Sequence, residues 1–175
     1  DKGMGNDDLV GKVQAQAPPT KSSPIGEIFY GYLMLCANSF QPAMGYLYRA
    51  LALQQSDPLL CLLCGVASLG RSTNRQVDNR NHTIIQGMAL FTHYAELRGD
   101  IPEVDYNFAR AYHHLNLVHL AVPRYERVLE RASSKASKGT FDMAREAAFN
   151  LAMIFTQSGS PDLARHLYRT WLAVE

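Results

Sequence analysis

The chain has 175 residues, of which 47% are hydrophobic, so it is long enough to bury a substantial core. Its formal net charge is only +1, which excludes a strong overall field that attracts nucleic acid. The most apolar stretch, Leu59 to Leu69, is too short to span a bilayer. The cysteine count is 3, an odd and low number that argues against a disulfide framework.

Residues 1–23 contain no aromatic residue and are rich in Gly, Pro, Lys, Asp, Gln and Ser. Such a segment cannot bury enough apolar surface to fold, so it is predicted to be a disordered tail or linker. The folded part of the chain is predicted to cover residues 24–175.

The first predicted helix runs from Pro24 to Ala37, where apolar residues recur at helical spacing. A break follows at residues 38–41. Pro42 is then expected to open the second helix, because proline is favoured in a first helical turn. These two helices form the first predicted hairpin.

Ser56, Asp57 and Pro58 mark the start of the third helix, with a capping side chain followed by proline. Since Leu59–Leu69 is apolar all round, this helix is predicted to be buried on more than one side. A polar connection over residues 70–81 leads to a long helix from about His82 to Leu97. Gly99 is expected to end it as a C-terminal cap.

The third hairpin is predicted to start at Pro102, with a second helix from Val118 to Arg131 that Pro123 bends or delays. Residues 132–139 are predicted to be a linker, and the fourth hairpin begins near Thr140. Its last helix, capped by residues 160–162, reaches Trp171 and Val174 and has no polar capping helix after it. This end is therefore expected to pack on a partner or to double back.

The hairpins share a register when Pro24, Pro102 and Arg145 are counted as position one. Small residues then occupy positions eight and twenty, and a large apolar residue occupies position twenty-four. Small residues let the two helices of a hairpin approach closely, and this logic, at a period of about 34 residues, is that of the tetratricopeptide (TPR) repeat. The predicted fold is an all-α, TPR-like solenoid of about four hairpins. The small residues are Gly31, Ala109 and Ala152 at eight, with Ala43, Ala121 and Ala164 at twenty. Gly87, followed by Phe91, fits the pattern more loosely.

The inner face of the first helix in each hairpin is the predicted partner-binding groove. Asparagine at position six resembles the ligand-backbone clamp of peptide-binding TPR domains, and Arg110 at position nine resembles a clamp cation. The alternative is that these side chains only pack on neighbouring repeats. The predicted groove residues are Tyr106, Asn107, Arg110, His113, Phe149, Asn150 and Met153.

No motif for catalysis, a metal or a cofactor is found in the sequence, so none of these is predicted. Cys61 and Cys64 form a single CxxC without further zinc ligands and are interpreted as buried packing residues. Arg71, Arg75 and Arg80 are candidate nucleic-acid contacts, and the alternative is a solvated loop face. A second basic group on the sixth helix is diluted by glutamates.

One stretch carries a more specific resemblance. Asp57-Pro58-Leu59, the run Asp78-Asn79-Arg80-Asn81-His82-Thr83-Ile84-Ile85-Gln86-Gly87, and then Phe91 and Tyr94 resemble the C-terminal TPR region of the large TPR-containing subunit of TFIIIC. TFIIIC is the general transcription factor of RNA polymerase III. The residues 107–115 and 148–152 are similar to the same region.

The resemblance implies a nuclear, non-enzymatic scaffold that supports promoter-bound assembly and recruitment of TFIIIB. Its implied partners are other TFIIIC subunits and TFIIIB, with DNA contacted mainly through the complex. The alternatives are a TPR adaptor that binds a short peptide in a different assembly, and a module with auxiliary DNA contacts.

Overall fold

The structure, a computed structural model, describes residues 23–75, 77–134 and 143–173. These residues form α-helices and connections, without a strand. No helix among them is both long and apolar enough to cross a membrane. The helices are α1 (Pro24–Cys36), α2 (Phe40–Leu53), α3 (Pro58–Ser72), α4 (Arg80–Arg98), α5 (Pro102–His114), α6 (Val118–Ser133), α7 (Ala144–Gln157) and α8 (Pro161–Leu167), and a π-helical turn (Tyr168–Leu172) follows α8.

Local sequence signals explain most helix ends. The carboxylate of Asp57 accepts hydrogen bonds from the amides of Leu59 and Leu60 at 2.8 and 3.3 Å, which caps α3. Asn79 caps α4 in the same way through the amide of His82, at 2.9 Å. Gly99, which follows α4, has a φ of 77°, a left-handed value that glycine adopts without steric cost.

The helices pair into hairpins, α1 with α2, α3 with α4, α5 with α6, and α7 with α8. The small residues at positions eight and twenty lie where the paired helices meet, and all six are buried. A Cβ atom on Gly31 would lie only 2.6 Å from the Leu47 side chain. The predicted TPR-like, all-α solenoid is confirmed by this hairpin packing.

The second hairpin obeys the same rule with different spacing. A Cβ atom on Gly65 would lie 2.7 Å from the ring of Phe91, and one on Gly87 would lie 2.9 Å from Leu69. Gly65 is therefore the position-eight residue of this hairpin, counted from Pro58. The longer α3–α4 connection moves Gly87 out of the common spacing without changing its role.

Three apolar clusters lie at the junctions between consecutive hairpins. The large residue four positions after the small residue of each second helix enters each junction: Leu47 in the first, Phe91 in the second and Tyr125 in the third. In the second, the ring of Phe91 meets the ring of Phe108 edge-on at 5.6 Å between centroids. The core is thus a row of interfaces, as stacked repeats require.

Several predicted boundaries differ from the structure. Helix α2 begins at Phe40, two residues before Pro42, because a first-turn residue needs no N–H to form the helix. Helix α6 begins at Val118, so Pro123 lies inside it without delaying its start. Ser160 precedes α8 but makes no side-chain capping bond.

The last helix changes geometry rather than continuing to Val174, which lies outside the described residues. Its α-helical part ends at Leu167, and the π-helical turn carries Trp171 back onto the last apolar cluster. Trp171 is half-buried as a result. The predictions for residues 1–22 and for most of the 132–139 linker and the Thr140 start also lie outside the described residues.

Candidate functional site

The structure gathers predicted groove residues around a cavity between α5 and α7. Its volume is about 440 Å³, and Tyr106, Arg110, Phe149 and Asn150 line it. Phe149 is about half exposed, at 49%, so a partner can reach it without unfolding the chain. The lining is completed by Arg145, Glu146 and Leu172. Residues from two consecutive hairpins thus form one concave site.

A second cavity of about 290 Å³ lies beside the first, toward the N-terminal hairpins. Asn107, another predicted groove residue, lines it together with apolar side chains from the first two hairpins. Arg110 lines both cavities. The two cavities therefore form one groove, called the inner groove below, with Arg110 in the middle. The other lining residues of the second cavity are Leu35, Asn38, Phe40, Val66, Leu69, Gly70, Phe91, Ala111 and His114.

Asn107 is held by a buried polar network. Its Nδ2 donates a hydrogen bond to the hydroxyl of Tyr94 at 2.9 Å, and that hydroxyl donates to Glu103 at 2.8 Å. Burial and the bond to Glu103 raise the pKa of Tyr94 to about 12. Arg98 pairs with the same Glu103 carboxylate. The network fixes the Asn107 amide, whose oxygen accepts no hydrogen bond from a described residue.

Asn150 is held in the same manner one hairpin later. Its Nδ2 donates to the hydroxyl of Tyr106 at 3.3 Å, and the Tyr106 ring meets the ring of Tyr125 edge-on at 6.1 Å. Tyr125 is fully buried, and its hydroxyl bonds to no described residue. His113 packs edge-on against the same ring at 6.3 Å. The two predicted clamp asparagines thus share one supporting arrangement, an amide on a buried tyrosine hydroxyl.

The positive charge of the inner groove comes from two arginines. Arg110 and Arg145 are exposed, and neither forms an ion pair with a described residue. Burial, with a smaller contribution from Arg110, lowers the pKa of His113. His113 is therefore neutral at pH 7, and the charge there does not depend on its protonation. His113 and Met153 line neither cavity, although they lie on α5 and α7, the two helices that border the larger one.

The two basic clusters that the sequence analysis identified lie outside the groove. Arg71 lies in the last turn of α3, Arg75 lies in the connection and Arg80 starts α4, and none forms an ion pair with a described residue. The second group, on α6, is neutralised by acids from the third hairpin. Arg124 pairs with the buried Asp105 at 2.6 Å.

Two further α6 arginines complete this neutralisation. Arg127 and Arg131 both pair with Asp100, and their Nε atoms lie 3.4 and 3.8 Å from Asp105. The arginine pairs hold the pKa of Asp100 below its usual range. These arginines therefore stabilise the hairpin instead of offering free charge to phosphates.

The cysteine pair packs as predicted. Cys61 and Cys64 are both fully buried, at 0% exposure. Burial raises the pKa of Cys64 to about 12, which opposes formation of a reactive thiolate. Within the described ranges, no three His, Cys, Asp or Glu residues are arranged to hold a metal ion.

Three parts of the site were not predicted from the sequence. Leu172 lines the cavity because the π-helical turn brings it there, and the spacing of apolar residues in the sequence does not predict such a turn. Arg145, at position one of the fourth hairpin, also lines the cavity but was not among the predicted groove residues. The lining from the second hairpin could have been found by counting from Pro58, which places Val66 at position nine, the position of Arg110.

No protein-family model matches the chain. Among curated proteins, it is 35% identical over 88% of its length to transcription factor tau subunit sfc4 of Schizosaccharomyces pombe. It is 32% identical over 90% of its length to the transcription factor tau 131 kDa subunit of Saccharomyces cerevisiae. General transcription factor 3C polypeptide 3 of Homo sapiens is 28% identical over 84% of the chain.

The chain spans between 15% and 17% of the length of these relatives. All three relatives are members of the TFIIIC subunit 3 family, the large TPR-containing subunit that the sequence resembled. The resemblance is thereby confirmed, and the chain is homologous over nearly nine-tenths of its length to a segment of this TFIIIC subunit family.

Proposed function

We propose that this chain is a protein-interaction scaffold of the TFIIIC complex that supports transcription initiation by RNA polymerase III. The homology to transcription factor subunits, two of them at 35% and 32% identity, is the observation that carries the proposal. A solenoid of stacked hairpins supports it physically, because such arrays offer long surfaces for partners. The protein would act in the nucleus, as general transcription factors do.

The inner groove is the proposed partner-binding surface. It combines apolar side chains open to solvent, such as Phe149 and Val66, with asparagine amides that buried hydroxyls hold in place. Preorganised polar groups beside an apolar surface lower the cost of ordering a bound segment. The groove residues proposed to contact a partner are Tyr106, Asn107, Arg110, Phe149 and Asn150, and His113 and Met153 are proposed as contacts beside the groove on α5 and α7.

The proposed partners are other TFIIIC subunits and TFIIIB, so that the region contributes to promoter-bound assembly. DNA would be contacted mainly through the complex. We propose no catalytic role and no cofactor, in keeping with relatives named as transcription factor subunits. A TPR adaptor of a different assembly is the alternative, and it predicts a different set of co-purifying proteins.

Affinity purification of the full-length protein from nuclear extract tests this function. We expect TFIIIC subunits, and TFIIIB at lower yield, to be enriched in the mass spectra. The matched control is the same full-length protein with this segment deleted, which should lose part of the set. Enrichment of neither TFIIIC nor TFIIIB would reject the scaffold proposal and favour the adaptor.

A weaker, additional DNA contact is proposed for Arg71, Arg75 and Arg80. Its support is that the three flank one connection and have no ion-pair partner among the described residues, unlike the arginines of α6. Reversing all three charges should lower DNA affinity of the complex and flatten its dependence on salt concentration. Unchanged affinity at low salt would remove this contact from the proposal.

A further inference from the structure

Arg110 lines both cavities of the inner groove, and this position suggests what the groove binds. We infer that the groove binds an acidic segment of a partner protein, with a carboxylate side chain at Arg110 and apolar side chains in the cavities on either side. The inference rests on the proposed scaffold function and names the chemistry of the partner at its groove.

The first support is charge. Arg110 and Arg145 line the larger cavity, and the acid that lines it with them is Glu146. Neither arginine pairs with a described residue, whereas the arginines of α6 all pair with Asp100 or Asp105. The α6 arginines are thus neutralised within the third hairpin, whereas Arg110 and Arg145 have no such partner among the described residues. An exposed, unpaired guanidinium presents five N–H donors in a fork that matches a carboxylate.

The second support is the apolar surface on both sides of Arg110. Toward the N-terminal hairpins, Val66 is 41% exposed at the edge of a cavity lined also by Leu35 and Phe40. Toward the C-terminal end, the π-helical turn places Leu172 opposite the half-exposed Phe149. A bound segment therefore needs an apolar residue before and after its acid.

The third support is the pair of fixed asparagines. The Asn107 and Asn150 amides each donate one N–H to a tyrosine hydroxyl, and no described residue bonds their amide oxygen or second N–H. A main chain that crosses the groove presents alternating N–H and C=O groups that such amides can bond. Main-chain recognition beside side-chain pockets is the usual division of labour in peptide binding.

A nucleic-acid phosphate would also suit Arg110, but the rest of the groove argues against it. Strand binders rely on several aromatic faces on which successive bases stack. Of the phenylalanine and tyrosine side chains that line the two cavities, Phe91 and Tyr106 are buried, at 2% and 8% exposure, which leaves Phe40 and Phe149 to stack on bases. The observations therefore favour a protein segment, and nucleic acid becomes an outcome of the test.

Photocrosslinking in the full-length protein tests the inference. Phe149 is replaced by p-benzoylphenylalanine, and both nuclear extract and the purified complex are irradiated. The control carries the same group at Ile85, which is 68% exposed on α4 and lines neither cavity. We expect the Phe149 probe to capture one protein segment with an Asp or Glu within a few residues and apolar residues around it.

The charge of Arg110 is then tested directly. Arg110→Glu should abolish the crosslink, and a Lys at the identified acid should restore it in that variant. Arg165→Glu, at an arginine whose side chain is 59% exposed on α8 outside both cavities, should leave it unchanged. A peptide of the captured segment should bind the wild-type chain at least about tenfold more tightly than Arg110→Glu. The peptide with Asn or Gln at the acid should lose a similar factor.

Several results would overturn the inference. They are crosslinks to nucleic acid, a captured segment without an acid, no crosslink at Phe149, or equal crosslinking by wild type and Arg110→Glu. A failure of the proposed scaffold function would be distinguishable, because TFIIIC subunits would then be missing already from the affinity purification, before any irradiation. Since Arg110 is exposed, its substitution should leave the thermal unfolding curve in place, which shows that lost binding is not lost folding.

Discussion

The ring of Phe91 lies directly on the backbone of Gly65, so close that a Cβ atom there would approach its Cδ2 to 2.7 Å. The carbonyl oxygen of Gly87 would lie 3.3 Å from that added Cβ atom of residue 65. Gly65 of α3 and Gly87 of α4 thus come close together because neither has a side chain, and the Phe91 ring of α4 fills the space over Gly65. This contact holds together the hairpin that carries the most family-specific residues of the chain.

Gly65→Ala should therefore destabilise the fold. Phe91 is 2% exposed and cannot move without disturbing Phe108, so the added methyl group forces a backbone shift. Overpacking of this kind costs about 1–3 kcal/mol of the free energy of unfolding. Urea denaturation followed by circular dichroism measures the change.

Gly26→Ala is the matched control for this substitution. It also lies inside a helix, but a Cβ atom there would meet nothing within 4 Å. Alanine should raise the stability by about 0.5–1 kcal/mol, because glycine loses more backbone entropy on folding. If both variants shifted the midpoint in the same direction, the close approach of α3 and α4 would not be the cause.

The regular hairpins could be read from the sequence because their packing depends on residue size at fixed spacing. Ala109 and Ala121, for example, are both fully buried between α5 and α6, as the register required. Gly65 was not predicted because the α3–α4 connection is longer than in the other hairpins. The regular spacing between positions eight and twenty, counted back from Gly87, therefore does not lead to Gly65. Counting forward from Pro58 recovers it.

The inner groove was only partly readable from the sequence. Arg110 and Asn107 followed from repeat position, which fixes the face of α5 on which they lie. That Arg110 has no ion-pair partner among the described residues could not be predicted, because it depends on which arginines form ion pairs with acids on the other helix of a hairpin. The pairing of Arg124 with Asp105 joins residues 19 positions apart and depends on the exact offset of α5 and α6.

Asp105→Asn tests that buried pair. Asp105 is 2% exposed and faces three guanidinium groups, so the neutral amide leaves Arg124 without its charged partner. We expect a loss of about 1–3 kcal/mol in the free energy of unfolding. Asp162→Asn removes an exposed partner of Arg165 and should change little. Equal denaturation midpoints for the two variants would contradict a structural role for Asp105.

Two buried tyrosines should respond in opposite directions when each loses its hydroxyl. Tyr94 and Tyr125 are 1% and 0% exposed, but the first hydroxyl makes two hydrogen bonds and the second bonds to no described residue. Tyr94→Phe removes the partner of the Asn107 amide and one of the two partners of the Glu103 carboxylate, the other being Arg98, and should cost about 1–3 kcal/mol. Tyr125→Phe removes an unpaired polar group and should be neutral or stabilising.

Thermal unfolding of the two phenylalanine variants provides the comparison. Each keeps the ring and its packing, so the difference between the two midpoints reports the hydrogen bonds alone. A Tyr125→Phe variant less stable than wild type would show that its hydroxyl has a bonding partner after all. The same result for both variants would mean that the Tyr94 network does not stabilise the fold.

His113 should make the stability fall as the pH drops below about 6.5. Burial, then Arg110 and His114, lower its pKa in the folded chain, while the unfolded chain keeps a value near 6.5. The unfolded state then binds the proton first, so protonation favours unfolding until the pH passes the folded pKa. Above pH 6.5 His113 is neutral in both the folded and the unfolded state, so its protonation no longer lowers the free energy of unfolding.

Urea midpoints between pH 5.0 and 7.5 for wild type, His113→Gln and His119→Gln check this dependence. We expect the fall to be smaller in His113→Gln, and unchanged in His119→Gln, because His119 is exposed on α6. An NMR titration of the His113 ring should show a midpoint below 6.5. Parallel pH profiles for wild type and His113→Gln would mean that burial against Tyr125 does not disfavour the charged imidazole.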